Sequence, residues 1–565
     1  MPHPEPTAAA VRAASSGLNG LNNLFGKALD LLGRTQRTVF DSLQLAGHAL
    51  GRVERLVTDI GRDGRLVVLD AIALWRSLEA AAQEAALTAR ATPRVARILK
   101  EIARMAAVYR MYHIKRSFLS DASAAAELEA LHQREALRLR LTLAEMGGGV
   151  LKVGQFLSCR ADLLPAAWIA ELRILQDQVP PAPEADVLAL LEAELTLLMP
   201  APEDGTPKDS TPSDTPHSDA PPTRDLSHWF AAFDVTPIAA ASLAQVHRAT
   251  LSPPFAAALG ASVGAVAVKV QRPGIDKVIA QDRRALAIVA ELLAPLLAEV
   301  ALAPILAEVS RSLDDELDFA AEASNARRFG AALAATPGPV RARVPTIIAS
   351  TQRIILMEFV AGGRLVPFLD RATAEGNIAE RDALLATLAR TTADCILVEG
   401  LVHADPHPGN FLVARDSEAG TPQLVLLDFG ATVTLSEPER RAMTELLPAM
   451  FGRNEQRTRE LLAVLGFSAP DPEAPAKFAM AMASTLIPTD IATMDPRAEL
   501  ERGMALAREY PGMVVPGAFV QIGRSLAGLG GLFLTYRPAL DLGSILFQSL
   551  HKASAKAAEA SATTS

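Results

Sequence analysis

His403-Ala404-Asp405-Pro406-His407-Pro408-Gly409-Asn410 and, further on, Leu424-Val425-Leu426-Leu427-Asp428-Phe429-Gly430 carry the strongest chemical pattern in this chain. An Asp is followed five residues later by an Asn, and an apolar run then ends on a second Asp. Phosphoryl transfer from ATP needs a carboxylate near the acceptor oxygen and hard oxygen ligands for a Mg²⁺ ion bridging the phosphates. The pattern supplies that set. Asp405 is the candidate base or acceptor-orienting group, and Asn410 and Asp428 are the candidate metal ligands. Either stretch alone reads equally well as a polar turn beside a buried strand. Both together, in this order, do not.

Upstream, Gly264-Ala265-Val266-Ala267-Val268-Lys269-Val270-Gln271 alternates strictly and predicts a strand with Val266, Val268 and Val270 on one face. Ala265, Ala267 and Lys269 share the other. Small alanines leave room for a flat base, so Ala267 is a candidate nucleotide contact, and Lys269 presents a point charge to phosphate oxygens. A lysine on a strand is usually a solvated edge charge; its place ahead of the Asp405 cluster makes Lys269 the candidate phosphate-binding lysine. Such a lysine needs a helical carboxylate to hold it. The run Leu313-Asp314-Asp315-Glu316-Leu317-Asp318-Phe319-Ala320-Ala321-Glu322 offers several. Glu322 is preferred, four residues after Asp318 and so on the same helix face. Glu316 and Asp318 point nearly opposite ways on a regular helix, and serve one site only if the helix is distorted.

Where a nucleotide roof would be a glycine-rich hairpin, the chain has Pro237-Ile238-Ala239-Ala240-Ala241-Ser242. Each alanine carries a Cβ, so this turn cannot freely adopt positive φ or lie as close to phosphates as glycine does. Ala239, Ala240, Ala241 and Ser242 are the candidate roof, gripping phosphates differently from a glycine loop.

The 565 residues exceed one ordinary core. Apolar residues make up 50 % and aromatics 5 %, with alanine and leucine dominant, a mix that favours helices. A formal charge of -9 argues against a nucleic-acid partner. Cys159 and Cys395 are far apart and outside any C-x-x-C or Cys/His cluster, so neither a zinc site nor a disulfide is expected, and a reducing, cytoplasmic compartment fits. Met1 to Ala10 lacks the basic start and apolar core of a secretory signal. Ala285 to Ala307 is interrupted by Glu291, Pro295, Glu299 and Pro304. Leu526 to Phe547 carries Tyr536, Arg537, Pro538 and Asp541 midway. Neither reads as a membrane span. Peripheral attachment through amphipathic helices stays open.

The chain is expected to divide into a variable helical region (1–120), a helical extension (121–199) and a Pro/Asp/Thr-rich insert (200–228). A small mixed lobe (229–361) and a mainly helical lobe with its tail (362–565) follow. The insert holds too few large apolar residues to offset its ordering entropy, and is expected to be disordered.

These motifs, with Leu151-Lys152-Val153-Gly154-Gln155 and the Arg160-Ala161-Asp162-Leu163-Leu164-Pro165 that follows, resemble the UbiB-type, or aarF-domain, atypical kinase family. Lys152 and Gln155 are three apart, so one helical face presents both. The likeness is good over roughly residues 120–450 and poor elsewhere. It implies an α+β, protein-kinase-like bilobal fold with a small mixed N-lobe, a mainly helical C-lobe and an N-terminal helical extension over the active site. It implies that Lys152, Gln155, Glu316 and Asp318 form a family-specific gate, that Lys269 pairs with Glu322, and that Asp405 serves catalysis. Asn410 and Asp428 would ligate metal, with ATP and Mg²⁺ as cofactors. The family's association is with isoprenoid quinone (ubiquinone) biosynthesis and lipid homeostasis, through ATPase or small-molecule kinase activity at membranes.

The chain also departs from a protein kinase. His407 stands where a protein kinase has lysine, and no A-P-E tripeptide follows Asp428-Phe429-Gly430, so a protein-substrate platform is not evident. Two other readings compete. A soluble small-molecule phosphotransferase of the aminoglycoside-kinase type shares the His-x-Asp-x-His-x-x-Asn loop but gives no reason for Lys152-Val-Gly-Gln155. A non-catalytic nucleotide-binding scaffold has no need of Lys269, Asp405, Asn410 and Asp428 together. The phosphoryl acceptor is not readable.

Overall fold

The computed structural model describes residues 93–116, 119–158, 164–172, 174–175, 180–199, 225–293, 302–335, 340–416, 420–486, 510 and 513–563. Cys159, Arg160, Asp162, most of the region 1–120, and 200–224 of the expected insert lie outside them, as does the side chain of Gln155.

In chain order the elements begin with helices α1 (Pro93–Arg116), α2 (Asp121–Met146), α3 (Gly148–Leu157), α4 (Ala166–Leu172) and α5 (Glu184–Leu198). Strands β1 (Phe230–Phe233), β2 (Ala239–Ala240) and β3 (Ala244–Leu251), helix α6 (Pro253–Ala258) and strand β4 (Ala265–Gln271) come next. Helices α7 (Ile275–Leu293), α8 (Leu302–Asp315) and α9 (Phe319–Ala334) precede β5 (Arg341–Arg343), β6 (Ile347–Ser350) and β7 (Ile354–Glu358). Then follow β8 (Gly362–Arg364), α10 (Leu365–Ala374), α11 (Ile378–Leu397), β9 (Leu401–His403), β10 (Phe411–Arg415), β11 (Pro422–Leu426) and β12 (Thr432–Thr434). The chain closes with α12 (Glu437–Phe451), α13 (Glu455–Val464), α14 (Ala474–Leu486), α15 (Gly517–Tyr536) and α16 (Leu542–Thr563).

Two units separate. One gathers the chain up to Gln176 with Gly274–Arg311; the other gathers Asp177–Pro273 with Ser312–Ser565. In the first, a long-range ion pair ties α1 to α7: Arg94 Nε lies 2.6 Å from Asp282 Oδ1. Arg94 also donates to the carbonyls of Met146 and Gly147 at the end of α2, while Asp282 accepts from Val150 N at the start of α3. Cation at a helix C-terminus and anion at an N-terminus is the arrangement helix dipoles favour. The glycine of the Lys152-Val-Gly154-Gln155 motif is a close-packing position. A Cβ on Gly154 would stand 2.6 Å from Leu143 Cδ1 and 2.6 Å from Leu175 Cδ1.

In the second unit a small antiparallel sheet runs β1-β3-β4-β7-β6, with β2 added to β3. The predicted alternation in β4 holds: Val266, Val268 and Val270 enter a core with Phe255, Ile354 and Leu356, closed by Val187, Leu191 and Leu195 of α5. On the other face α9 lays Phe319 and Ala323 against Ala244 and Ile355. Below, α10 and α11 pack on a second sheet, ordered β5-β11-β10-β8, through Leu365, Leu369, Leu384, Leu388, Leu424 and Leu426. A small mixed lobe and a mainly helical lobe result, the α+β kinase-like arrangement expected.

The C-terminal helix α16 is built into this lobe. Ser549 Oγ donates to Asp394 Oδ1 at 2.5 Å and Lys552 Nζ reaches Asp394 Oδ2 at 2.6 Å, pinning α16 on α11. Among the described residues α15 is the one helix long and apolar enough to cross a membrane, by length and composition, and 33 % of that window is buried. Its Leu529, Leu532, Phe533 and Tyr536 sit in the helical lobe's core. The stretch Leu526 to Phe547 is interrupted at the residues the sequence marks. The helix stops at Tyr536, with Arg537 left-handed at φ 43°, and Arg537, Pro538 and Asp541 occupy the connector to α16.

Candidate functional site

Lys269 is presented by β4 from the face opposite its valines, and its side chain is 13 % exposed. Its Nζ donates to Glu322 Oε1 at 2.5 Å. It also lies 3.6 Å from Asp428 Oδ1. A strand, a helix and the turn after β11 thus meet at one ammonium group. Burial alone would pull the lysine pKa down, but Asp428 and Glu322, helped by Glu316, hold it above the ordinary lysine value. Burial pushes the Glu322 carboxyl up, and Asp428 adds to that, while Lys269 opposes it. With the ammonium held charged, the contact is an ion pair at neutral pH.

The acidic run is not one helix. α8 ends at Asp315 and α9 begins at Phe319; between them Asp318 is the N-cap of α9, its carboxylate accepting from Ala321 N at 2.9 Å. The sequence argument that Asp318 and Glu322 share a helix face is therefore corrected: Asp318 caps the helix on which Glu322 sits. The break also turns Glu316 inward. A Cβ on Gly430 would stand 3.5 Å from Asp428 Oδ1, 3.8 Å from Glu322 Oε2 and 4.0 Å from Glu316 Cγ. Capping residues such as Asp favour helix starts because they satisfy exposed N–H groups, which is the local reason the run breaks where it does.

The loop after β9 is held by its own polar groups. Asn410 Nδ2 donates to the Asp405 carbonyl at 3.0 Å, and Leu427 N donates to the Asn410 carbonyl at 2.8 Å. His407 Nδ1 accepts from Gly409 N at 3.1 Å. His403 Nδ1 accepts from Asp405 N at 3.3 Å, which leaves its proton on Nε2, 3.5 Å from the Leu427 carbonyl. Burial keeps His403 below the usual histidine pKa against the pull of Asp428 and Asp405, in keeping with a neutral ring. Asp428 is 49 % exposed at its side chain and has φ 57°, a left-handed conformation uncommon for a non-glycine residue.

The roof is a short strand and turn. Ala239 and Ala240 pair with Val246 and Gln245 of β3. Ala241 N donates to Ala244 O at 2.8 Å, and Arg272 Nη1 donates to Ala241 O at 3.3 Å. Among the described residues, the non-glycine residues with positive φ are Asp428, Arg453 and Arg537, so the roof alanines keep ordinary dihedrals. Ser242 is buried, and Ala267 on β4 is buried as well. Lys152 is half-buried on α3 in the helical unit, and Gln155 lies on the same helix. Sequence reading missed Asn325, whose Nδ2 donates to the Phe429 carbonyl at 3.3 Å. Its signal was available: Glu322-Ala-Ser-Asn325 places the two side chains three apart on one face.

Asn410 and Asp428 offer the hard oxygen donors Mg²⁺ prefers. Among the described residues no group of three or more His, Cys, Asp or Glu side chains is disposed to hold a metal. Mg²⁺ commonly keeps several waters and takes few protein ligands beside substrate phosphates. The amide and carboxylate oxygens of Asn410 and Asp428 are donors of the type the ion takes.

A cation on a strand paired to a helix carboxylate and lying beside an Asp-Phe-Gly turn, in a chain that also carries an Asp-x-x-x-x-Asn loop, defines a protein-kinase-like site. Residues 220–462 match the ABC1 atypical kinase-like domain. An "AarF domain-containing protein kinase 1" from Xenopus laevis is 28 % identical over 331 residues, 58 % of this chain and 56 % of that protein. A "Probable protein kinase UbiB" from Xanthomonas campestris is 32 % identical over 367 residues, 63 % of this chain and 58 % of that protein. A protein from Synechocystis is 31 % identical over 336 residues, covering 58 % of this chain and 72 % of its own length. The chain belongs to the ABC1, or aarF/UbiB-type, atypical kinase-like family. It spans little more than half the length of the AarF and UbiB relatives it matches.

Proposed function

We propose that this protein binds Mg·ATP and transfers or hydrolyses its terminal phosphoryl group, in support of isoprenoid quinone (ubiquinone) biosynthesis or lipid homeostasis. The observation that carries the reading is the convergence of Lys269 with Glu322 at 2.5 Å and with Asp428 at 3.6 Å. Lys269, aimed by Glu322, presents its charge to phosphate oxygens, and Ala239, Ala240, Ala241 and Ser242 cover them. Ala267 offers a flat, small surface to the base. Asn410 and Asp428 would hold the Mg²⁺ ion, which supplies charge neutralisation of the triphosphate when bound. Asp405 orients the attacking hydroxyl or water. Lys152, Gln155, Glu316 and Asp318 act as the gate the family likeness implies, and their presence favours a small or isoprenoid acceptor over a protein. Peripheral contact with a membrane and with lipid- or quinone-pathway proteins follows from that acceptor class.

The test is turnover and binding in parallel. Mg²⁺-dependent ATP hydrolysis should be lost in Asp428→Asn while nucleotide still binds, and wild-type turnover should rise with anionic liposomes or quinone-precursor phenols. Equal turnover in Asp428→Asn would sink the metal-site assignment. No response to either lipid or phenol would favour a soluble small-molecule phosphotransferase.

A further inference from the structure

We infer that Asn325 and Thr432 are positioning residues that set the orientation of the Asp428 carboxylate through the peptide plane between Phe429 and Gly430. The inference rests on the Mg·ATP reading above. Helix α9 addresses Phe429 at every part. Glu322 Oε1 accepts from its N–H at 3.4 Å, Asn325 Nδ2 donates to its carbonyl at 3.3 Å, and Phe329 packs on its ring with centroids 5.1 Å apart. Thr432 Oγ1 adds a second donor to that carbonyl at 2.9 Å. The same peptide plane carries Gly430 N–H, which donates to Asp428 Oδ1 at 3.2 Å.

A peptide unit is planar, and in the trans form its C=O and N–H point in opposite directions. Fixing the oxygen therefore fixes where the hydrogen points. Two donors clamp the carbonyl on the α9 side, so the Gly430 N–H is aimed at Asp428 Oδ1, the atom that also lies 3.6 Å from Lys269. The device has a second purpose. Asp428 is left-handed at φ 57°, a strained conformation for a non-glycine residue that persists only where its surroundings over-determine it. Without the clamp the plane can rotate, the turn can relax, and the carboxylate loses its heading toward the metal.

The test measures metal affinity directly, with Mn²⁺ as a spectroscopic probe in the presence of ADP, on the full chain. Each lost hydrogen bond should weaken Mn²⁺ binding about fivefold. Asn325→Ala and Thr432→Val should each do so, while ADP affinity in EDTA stays within about twofold. Thr432→Ser, which keeps the hydroxyl, should restore wild-type metal affinity. The clamp is overturned if metal-free ADP binding falls as far as Mn²⁺ binding, or if Thr432→Ser behaves like Thr432→Val. Absence of any Mn²⁺·ADP binding in the wild-type chain would instead remove the underlying reading. Thermal midpoints identify a variant that fails to fold, and Thr432, on a different element from Asn325, then carries the test.

Discussion

Two buried ion pairs hold this protein's two units, and they are built on opposite plans. Arg94 and Asp282 close on themselves. Arginine donors go to Asp282 and to two helix-end carbonyls, and Asp282 accepts from Arg94 and from Val150 N–H. Lys269 and Glu322 do not close. One ammonium is shared by Glu322 and Asp428, with Glu316 adding to the field that holds it charged. A structural pair exhausts its charge on the protein. A lysine held charged by carboxylates from a helix and from the Asp-Phe-Gly turn is the kind of perturbed cluster that the function proposed above calls for.

The largest expected effect breaks the second pair. Lys269→Met should lower ATP turnover about a thousandfold, on the order of 4 kcal/mol of transition-state stabilisation. Its fold should suffer less than burial suggests, because without Lys269 the Glu322 carboxyl, which burial already raises, can take up a proton instead of standing as an unpaired charge. Steady-state turnover beside a denaturant melt checks both halves. Turnover within tenfold of wild type would make Lys269–Glu322 a structural pair like the other.

The mirror experiment is Asp282→Asn. Removing one member of a closed buried pair costs about 3–5 kcal/mol of stability, while nucleotide affinity per folded molecule should not change. Arg94→Met with Asp282→Leu should recover most of that loss, since an apolar replacement removes both desolvated charges. If the single variant lost ATP affinity as strongly as stability, the contrast between the pairs would collapse.

A smaller effect is in pH. His403 is held below its ordinary value near 6.5 by burial, so the unfolded chain takes up a proton that the folded chain refuses. Stability should therefore fall as pH drops below about 6.5, by at most about 1.4 kcal/mol per unit. Denaturant melts from pH 7.5 to 5 should show that slope in wild type and in Arg94→Met, and a flatter one in His403→Asn.

What could be read beforehand follows the same divide. Lys269, Asp405, Asn410 and Asp428 stand in short motifs whose meaning is local: alternation for β4, fixed spacing for the loop, an apolar run ending in Asp. Glu322 was reachable because the lysine demands a helical acid. Arg94–Asp282 and the Asp394–Ser549–Lys552 anchor join residues far apart in sequence, and no local pattern announces them. The break at Glu316–Asp318 was legible only as a paradox, two acids that a continuous helix would separate. Capping by Asp318 resolves it.

The smallest effect concerns the roof. Its alanines keep ordinary dihedrals and a β-hairpin pairing, so the turn is held by hydrogen bonds rather than by glycine's freedom. Ala240→Gly removes one Cβ and widens the accessible dihedrals. Because Arg272 still anchors the neighbouring Ala241 carbonyl, the turn should sample a closer approach to the phosphates without collapsing. Affinity for ATP or ADP should then shift by about two- to fivefold, equivalent to less than about 1 kcal/mol, with the two nucleotides responding unequally because only one carries the terminal phosphate. Titration calorimetry with each nucleotide reads this directly. Unchanged affinity for both would mean that the alanines do not cover the phosphates at all, and that the Lys269 ammonium carries the burden of phosphate recognition.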